Sequence, residues 1–321
     1  MVEELDWLDK ALIFELYSNA RVPIQELSNK YGVAFNTIKN RIKKLERRGM
    51  IIEYTIELSM EMLGAEWVYV EITTNGEEEI EALVNQIGNH PLVRFSYRID
   101  TRKYQARAII TGAKELFELK HFIESIDSVI KVELHPFVWI APDSSPSSKA
   151  RTKGCKVVFT KNQLKILQCL IHDVRMPVIE IAKRTNIPIR KVTKILKELY
   201  DGGGVHFTIR MMMTDPVELT LFIKYDNKKI DVSQIVEWFQ ERYPLEFWGG
   251  ACWLDKPVFE VIIVPGKIEI FGDITRQVQA APFTASVEAH LFSYDSLLQG
   301  QYKGPSHTRL EEMLQKAGLS E

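Results

Sequence analysis

The chain has 321 residues, enough for roughly two to four domains. Its hydrophobic fraction of 45% and charged fraction of 26% are those of an ordinary globular protein. A net charge of -2 gives no global sign of a nucleic-acid partner, so such a partner has to be met by local clustering. The acidic N-terminus, MVEELDWLDK, lacks a signal-peptide core, and no apolar run approaches the ~20 residues of a bilayer span. Cys155, Cys169 and Cys252 are far apart and form no disulfide or metal pattern. The expectation is a cytoplasmic protein with reduced thiols, no membrane contact, no metal and no cofactor.

Taken in order, Trp7 to Tyr17 has apolar residues at Leu8, Leu12, Ile13 and Leu16, an amphipathic helix with Asp6 as its N-cap. Asn19-Ala20-Arg21 breaks it, and Pro23 suits the first turn of a second helix. Ile24, Leu27 and Tyr31 mark one face of that helix, and Gly32-Val33 makes a turn. Ile38, Ile42 and Leu45 mark the inner face of a third helix, whose outer face carries Asn36, Thr37, Lys39, Asn40, Lys43, Lys44 and Arg47. This spacing predicts a helix-turn-helix whose second helix enters a DNA major groove. Between Arg21 and Met50 eight Lys/Arg face two Glu, a surplus of six positive charges. Gly49 ends the helix, and Ile51 to Leu58 has β-type residues that read as the β-ribbon of a winged helix.

From about Gly64 the pattern changes to Trp67–Thr73 strand, Glu77–Ile87 helix, Val93–Ile99 and Tyr104–Thr111 strands, Lys114–Ile126 helix and Val129–Ile140 strand. That order is βαββαβ, a ferredoxin-like unit with helices on one face and an open face suited to pairing with a second copy. Residues 141–154, rich in Ser, Pro and charge, form a linker.

After the linker the text repeats. An offset of 154 brings Arg21-Val22-Pro23 onto Arg175-Met176-Pro177, Leu45 onto Leu199 and Gly49 onto Gly203; near the end the offset becomes 155, so His135 meets His290. This is an internal duplication of a unit of about 150 residues. The second helix-turn-helix, Val178 to Tyr200, has Asn186 in place of the turn glycine and offers Arg190, Lys191, Thr193, Lys194 and Lys197 outward. Between Arg175 and Gly204 seven Lys/Arg face three acids, so this copy is less basic.

The expected fold class is therefore α+β, two tandem copies of a winged helix-turn-helix followed by a ferredoxin-like βαββαβ domain. The expected boundaries are 1–60 and 61–140, the linker 141–154, then 155–213 and 214–298, with a C-terminal tail at 299–321. Met211-Met212-Met213 reads as a β-ribbon edge. His135 and His290 read as structural histidines, and Trp238, Phe247, Trp248 and Trp253 as packed aromatics. No catalytic constellation is present: Gly-x-Ser-x-Gly, P-loop and His-Glu-x-x-His are all absent.

Leu5 to Ile140 resembles a protomer of the Lrp/AsnC (feast/famine) transcriptional regulators. The likeness rests on Leu5-Asp6 with Asp9, on Glu26-Leu27-Ser28, on Gly32-Val33, and on the basic run Arg41 to Ile51. Phe159 to Tyr294 resembles a second, more diverged protomer. The resemblance implies double-stranded DNA as partner, pairing through the sheet faces as a homodimer or an intrachain pseudo-dimer, and a small-molecule effector. Asp100, Tyr104 and Asp255 are the effector candidates, although the glycine of the family's G-x-x-D hairpin is absent here. Siroheme decarboxylases resemble paired copies of the same unit and supply the alternative, a tetrapyrrole enzyme using Arg98, His90 and His135. The intact basic helix favours a regulator over an enzyme.

Overall fold

A computed structural model describes residues 5–140, 154–211, 218–264, 268–292 and 305–319. The first copy runs α1 (Trp7–Ser18), α2 (Ile24–Tyr31), α3 (Phe35–Arg47), β1 (Ile51–Leu58), α4 (Met60–Leu63), β2 (Glu66–Thr74), α5 (Ile80–Gly88), β3 (Val93–Asp100), β4 (Lys103–Ile110), α6 (Ala113–Glu124) and β5 (Val129–Ile140). The second runs α7 (Lys161–Leu170), α8 (Val178–Thr185), α9 (Ile189–Asp201), β6 (Val205–Met211), β7 (Glu218–Tyr225), α10 (Val232–Arg242), β8 (Phe247–Trp253), β9 (Val258–Ile263), α11 (Phe271–Gln279) and β10 (Thr284–Phe292). The chain ends on α12 (Pro305–Lys316). Apart from Gly154, the linker read at 141–154 lies outside the described residues, as do Met212 and Met213. Two compact units result, one holding both winged helices with α12 and the other holding both ferredoxin-like sheets.

In the winged-helix unit, α1 starts where the Asp6 carboxylate accepts hydrogen bonds from the Leu8 and Asp9 amides. Leu12, Ile13, Leu16, Leu27, Ile38 and Leu45 are buried between α1, α2 and α3. The α2–α3 turn needs a left-handed residue: Gly32 sits at φ 64° and its counterpart Asn186 at φ 54°. Asn186 is the one non-glycine residue with positive φ among the described residues. The wing departs from expectation. Ile51–Leu58 is a single strand rather than a ribbon, and its partner is β6 of the other copy. Eight residues are too few to turn back on themselves, so each copy supplies one strand of a shared two-stranded sheet. α12 packs on this unit through Leu310 and Leu314, and the Ser306 hydroxyl accepts from the Leu58 amide at 2.9 Å.

The sheet unit is one antiparallel sheet of eight strands in the order β10-β7-β9-β8-β5-β2-β4-β3. Each half has the ferredoxin-like order, and β5 joins β8 with Phe137 opposite Trp253 and Trp139 opposite Ala251. Alternation along each strand decides the faces. Val68, Val70 and Ile72 of β2 meet Leu83, Ile87, Leu119 and Ile123 of α5 and α6. Leu219, Leu221 and Ile223 of β7 meet Ile235, Phe239, Ile274 and Val278 of α10 and α11. The helix-free faces of the two halves meet each other: the rings of Tyr69 and Phe222 lie 5.8 Å apart, and Arg107 of β4 is paired with Glu260 of β9. Both charged side chains are almost fully buried, which holds the pair in a low-dielectric setting.

Candidate functional site

On α3 the three apolar residues that build the inner face are buried, and Asn36, Thr37, Lys39, Asn40, Lys43 and Arg47 are exposed, with Lys44 half-buried. The helix therefore presents its amides, hydroxyl and cations as one solvent-facing strip. Arg47 Nε donates to the Lys43 carbonyl at 3.3 Å, a bond that lays its side chain along the strip. Arg41, from the same basic run, is used differently. Its guanidinium donates to Asp6 and, at 3.0 Å, to the buried Asp9, clasping α3 to the start of α1. The sequence signal for that clasp was present in the Leu5-Asp6…Asp9 and Arg41 spacing, although only the fold brings the residues together.

On α9, Arg190, Lys191, Thr193, Lys194 and Lys197 are all exposed. Two of these cations are already engaged: Lys194 with Glu198 at 3.7 Å and Lys197 with Asp201 at 3.2 Å, both one turn apart. Among the described residues Lys39 and Lys43 form no such ion pair.

The shared β1–β6 sheet relates the two winged helices. Thr55 lies opposite Thr208 and the two make matching bonds, so a pseudo-two-fold axis passes between them. The contacts around it are reciprocal. The Ala20 amide donates to the Phe207 carbonyl and the Val174 amide to the Tyr54 carbonyl. Thr208 donates to the Tyr17 carbonyl and Thr55 to the Ile171 carbonyl. Arg21 adds bonds to the Val174 and Met176 carbonyls. These hydrogen bonds join the two winged helices within one compact unit, an arrangement that can present two recognition helices to one duplex.

In the sheet unit, a cavity of about 360 Å³ is lined by Tyr69, Phe222 and Trp253 and by Lys103, Lys224, Lys256, Glu71, Glu288 and His290. None of these lysines stood out in the sequence, because strands from both copies have to be folded together before they converge. Burial holds the His290 imidazole below its usual value. Asp100 and Asp255, read as effector candidates, occupy equivalent hairpins but differ in partner. Asp255 lies 2.7 Å from His135 Nδ1, whereas the exposed Asp100 is bonded to Thr101 and held below the usual carboxylate range mainly by that backbone bond. Tyr104 is buried under α5, donates to Glu78 at 2.7 Å, and has its phenol pushed upward by burial. The structure does not gather these three residues into one site. His135 stacks on Trp253 with ring centres 4.1 Å apart, and His90 accepts from the Leu92 amide. Among the described residues no cluster of His, Cys, Asp or Glu has the makings of a metal site, and no helix is long and apolar enough to cross a membrane.

Comparison with known proteins matches the family described as winged helix-turn-helix DNA-binding to residues 5–52 and again to 159–203. An uncharacterized HTH-type transcriptional regulator of Pyrococcus furiosus is 31% identical over 130 residues, which are 40% of this chain and 86% of that protein. The HTH-type transcriptional regulator LrpA of Pyrococcus horikoshii is 27% identical over 131 residues, 40% of this chain and 92% of that protein. Each match has the length of one copy. Among solved structures, the siroheme decarboxylase NirDL shares the fold across 98% of this chain and 100% of its own, with a TM-score of 0.59 and 10% identity. The winged helices, the ferredoxin-like sheets and the sequence relatives agree, and the chain belongs to the Lrp/AsnC family of HTH-type transcriptional regulators, with the family unit present twice.

Proposed function

We propose that the chain is a sequence-specific regulator of transcription that reads double-stranded DNA through α3 and α9. The observation that carries this reading is the exposed strip on α3, held on one frame with α9 by the β1–β6 sheet. Asn36, Thr37 and Asn40, near the start of α3, are the base readers, since amide and hydroxyl groups can match base edges in the major groove. Lys39, Lys43, Lys44 and Arg47 grip phosphate, as do Arg190, Lys191, Lys194 and Lys197 on α9, with Thr193 beside them. The duplication supplies within one chain the pairing that other members obtain from two protomers, so one chain addresses two half-sites about one helical turn apart. Titration of a labelled duplex at several salt concentrations tests this. Binding should weaken linearly on a log–log plot with a slope of several units. A chain that leaves duplex DNA unbound at low salt contradicts the reading.

A second reading rests on the whole-chain fold shared with a siroheme decarboxylase, together with the lysine- and histidine-lined cavity. It makes the chain a tetrapyrrole enzyme. Incubation with an iron uroporphyrin decides it: a stable visible spectrum and loss of carboxylate would support the enzyme, and an unchanged pigment would remove it.

A further inference from the structure

The duplication allows one recognition helix to be compared with the other. An offset of 154 sets α3 on α9 residue by residue. The outer faces differ at most positions: Asn36 is matched by Arg190, Thr37 by Lys191, Lys39 by Thr193 and Arg47 by Asp201. Two exposed positions keep their kind. Lys43 is matched by Lys197, and Phe35 by a second large apolar residue, Ile189.

Phe35 is 41% exposed and Ile189 50%, each as the first residue of its helix. The positions that staple a helix start, one before the N-cap and one in the second turn, are held by Val33 and Ile38 in α3 and by Ile187 and Val192 in α9. Phe35 and Ile189 lie outside that pair. A single exposed apolar residue needs no explanation, but the same one at the head of two otherwise diverged outer faces does. Its neighbours one and two turns on are also exposed, Lys39 and Lys43 after Phe35, Thr193 and Lys197 after Ile189. Each helix thus carries a row that begins in an apolar group and ends in a lysine.

We propose that Phe35 and Ile189 are specificity-determining residues that pack on the methyl group of a thymine, one in each half-site. The inference rests on the reading of α3 and α9 as the helices that contact DNA. The first residues of a recognition helix meet base edges in the major groove. Thymine presents its methyl group there, and an apolar side chain recognises that group without any hydrogen bond. Lys43 and Lys197, at the far end of the same rows, reach phosphate and hold the helix start in register. The two half-sites therefore share a thymine at the position met by residue 35 or 189. They differ where the neighbouring residues differ.

The test uses the full chain and the duplex it selects from a random-sequence library. Each thymine of that duplex is replaced in turn by deoxyuridine, which pairs identically and lacks only the methyl group. One replacement in each half-site should weaken binding about fourfold, the worth of one buried carbon group of that size. In Phe35→Ala the loss should vanish at one of these two thymines, and in Ile189→Ala at the other. Phe35→Ile, which gives α3 the side chain found on α9, should keep the loss. Both positions are exposed, so circular dichroism should show an unchanged fold in all three variants. A parent that selects no duplex overturns the reading of the chain as a DNA binder and this contact with it. A selected duplex on which no deoxyuridine weakens binding overturns the contact alone. So does a loss that is equal in the parent and both alanine variants, since it then belongs to the DNA, or a loss that Phe35→Ile abolishes.

Discussion

In the first winged helix Arg41 reaches back from α3 to Asp6 and Asp9. In the second the equivalent residues are Ile195, Thr160 and Gln163. Ile195 is simply buried, and Thr160 with Gln163 forms a neutral capping box at the start of α7. The outer faces diverge likewise: Lys39 and Lys43 stand clear, while Lys194 and Lys197 are tied to Glu198 and Asp201. The sheets repeat the lesson, with His135 enclosed at a paired seam and His290 beside an unpaired one. Duplication kept the inner faces that fold each copy and released the outer ones. The first copy presents the more basic recognition helix, and the second has diverged from it.

The largest effect is expected where the two sheet halves are joined. Glu260→Ala strands the buried Arg107 and should cost about 3–5 kcal/mol, read as a fall in the urea midpoint of the sheet unit. Its counterpart Gln105→Ala removes no charge and should cost less, so equal losses would deny that the buried pair distinguishes the halves. Next comes the clasp. Arg41→Ala leaves the buried Asp9 carboxylate without its cation and should destabilise the first winged helix by about 1–3 kcal/mol. Ile195→Val in the second should cost only about 0.5–1.5 kcal/mol, and a reversed order in thermal melts would break the comparison.

On DNA, Lys39→Ala/Lys43→Ala should lower the salt slope by ~1 to 2 units, and Lys194→Ala/Lys197→Ala by less, because those cations are partly neutralised already. Equal losses would show that the ion pairs on α9 open freely on contact with phosphate. The smallest effect concerns acid. Burial lowers the His290 pKa in the fold, so protonation favours the unfolded chain, whose histidine titrates near the ordinary ~6.5. The contribution of neutral His290 is complete above that pH and is lost as pH falls below it. His290→Gln should flatten the stability profile below about pH 6.5, while His90 and His307, whose pKa values burial also lowers, leave a residual slope. An unchanged profile would mean that water already reaches the His290 ring in the fold.

Much of this was legible in the chain itself. Ile38, Ile42 and Leu45 announce α3 by spacing, the βαββαβ order follows from alternation, and the 154-residue offset gives the duplication. These are local signals, and local periodicity survives in sequence. What escaped was non-local. Nothing in Ile51–Leu58 says that its partner is β6 of the other copy rather than a hairpin of its own. Arg107 and Glu260 are 153 positions apart, and each reads as an ordinary strand charge until the halves meet. Lys103, Lys224 and His290 line one cavity only once strands of both copies are folded together. Tyr104, singled out for a ligand, is spent on Glu78 and the α5 core.

The measurement that bears most directly on the account is hydroxyl-radical footprinting of the full chain on a duplex selected from genomic fragments, run with the Lys39→Ala/Lys43→Ala variant alongside. The account predicts two protected patches about one helical turn apart and unequal in depth, with the deeper one lost in the variant. A single patch, two of equal depth, or protection that survives the variant unchanged would contradict it.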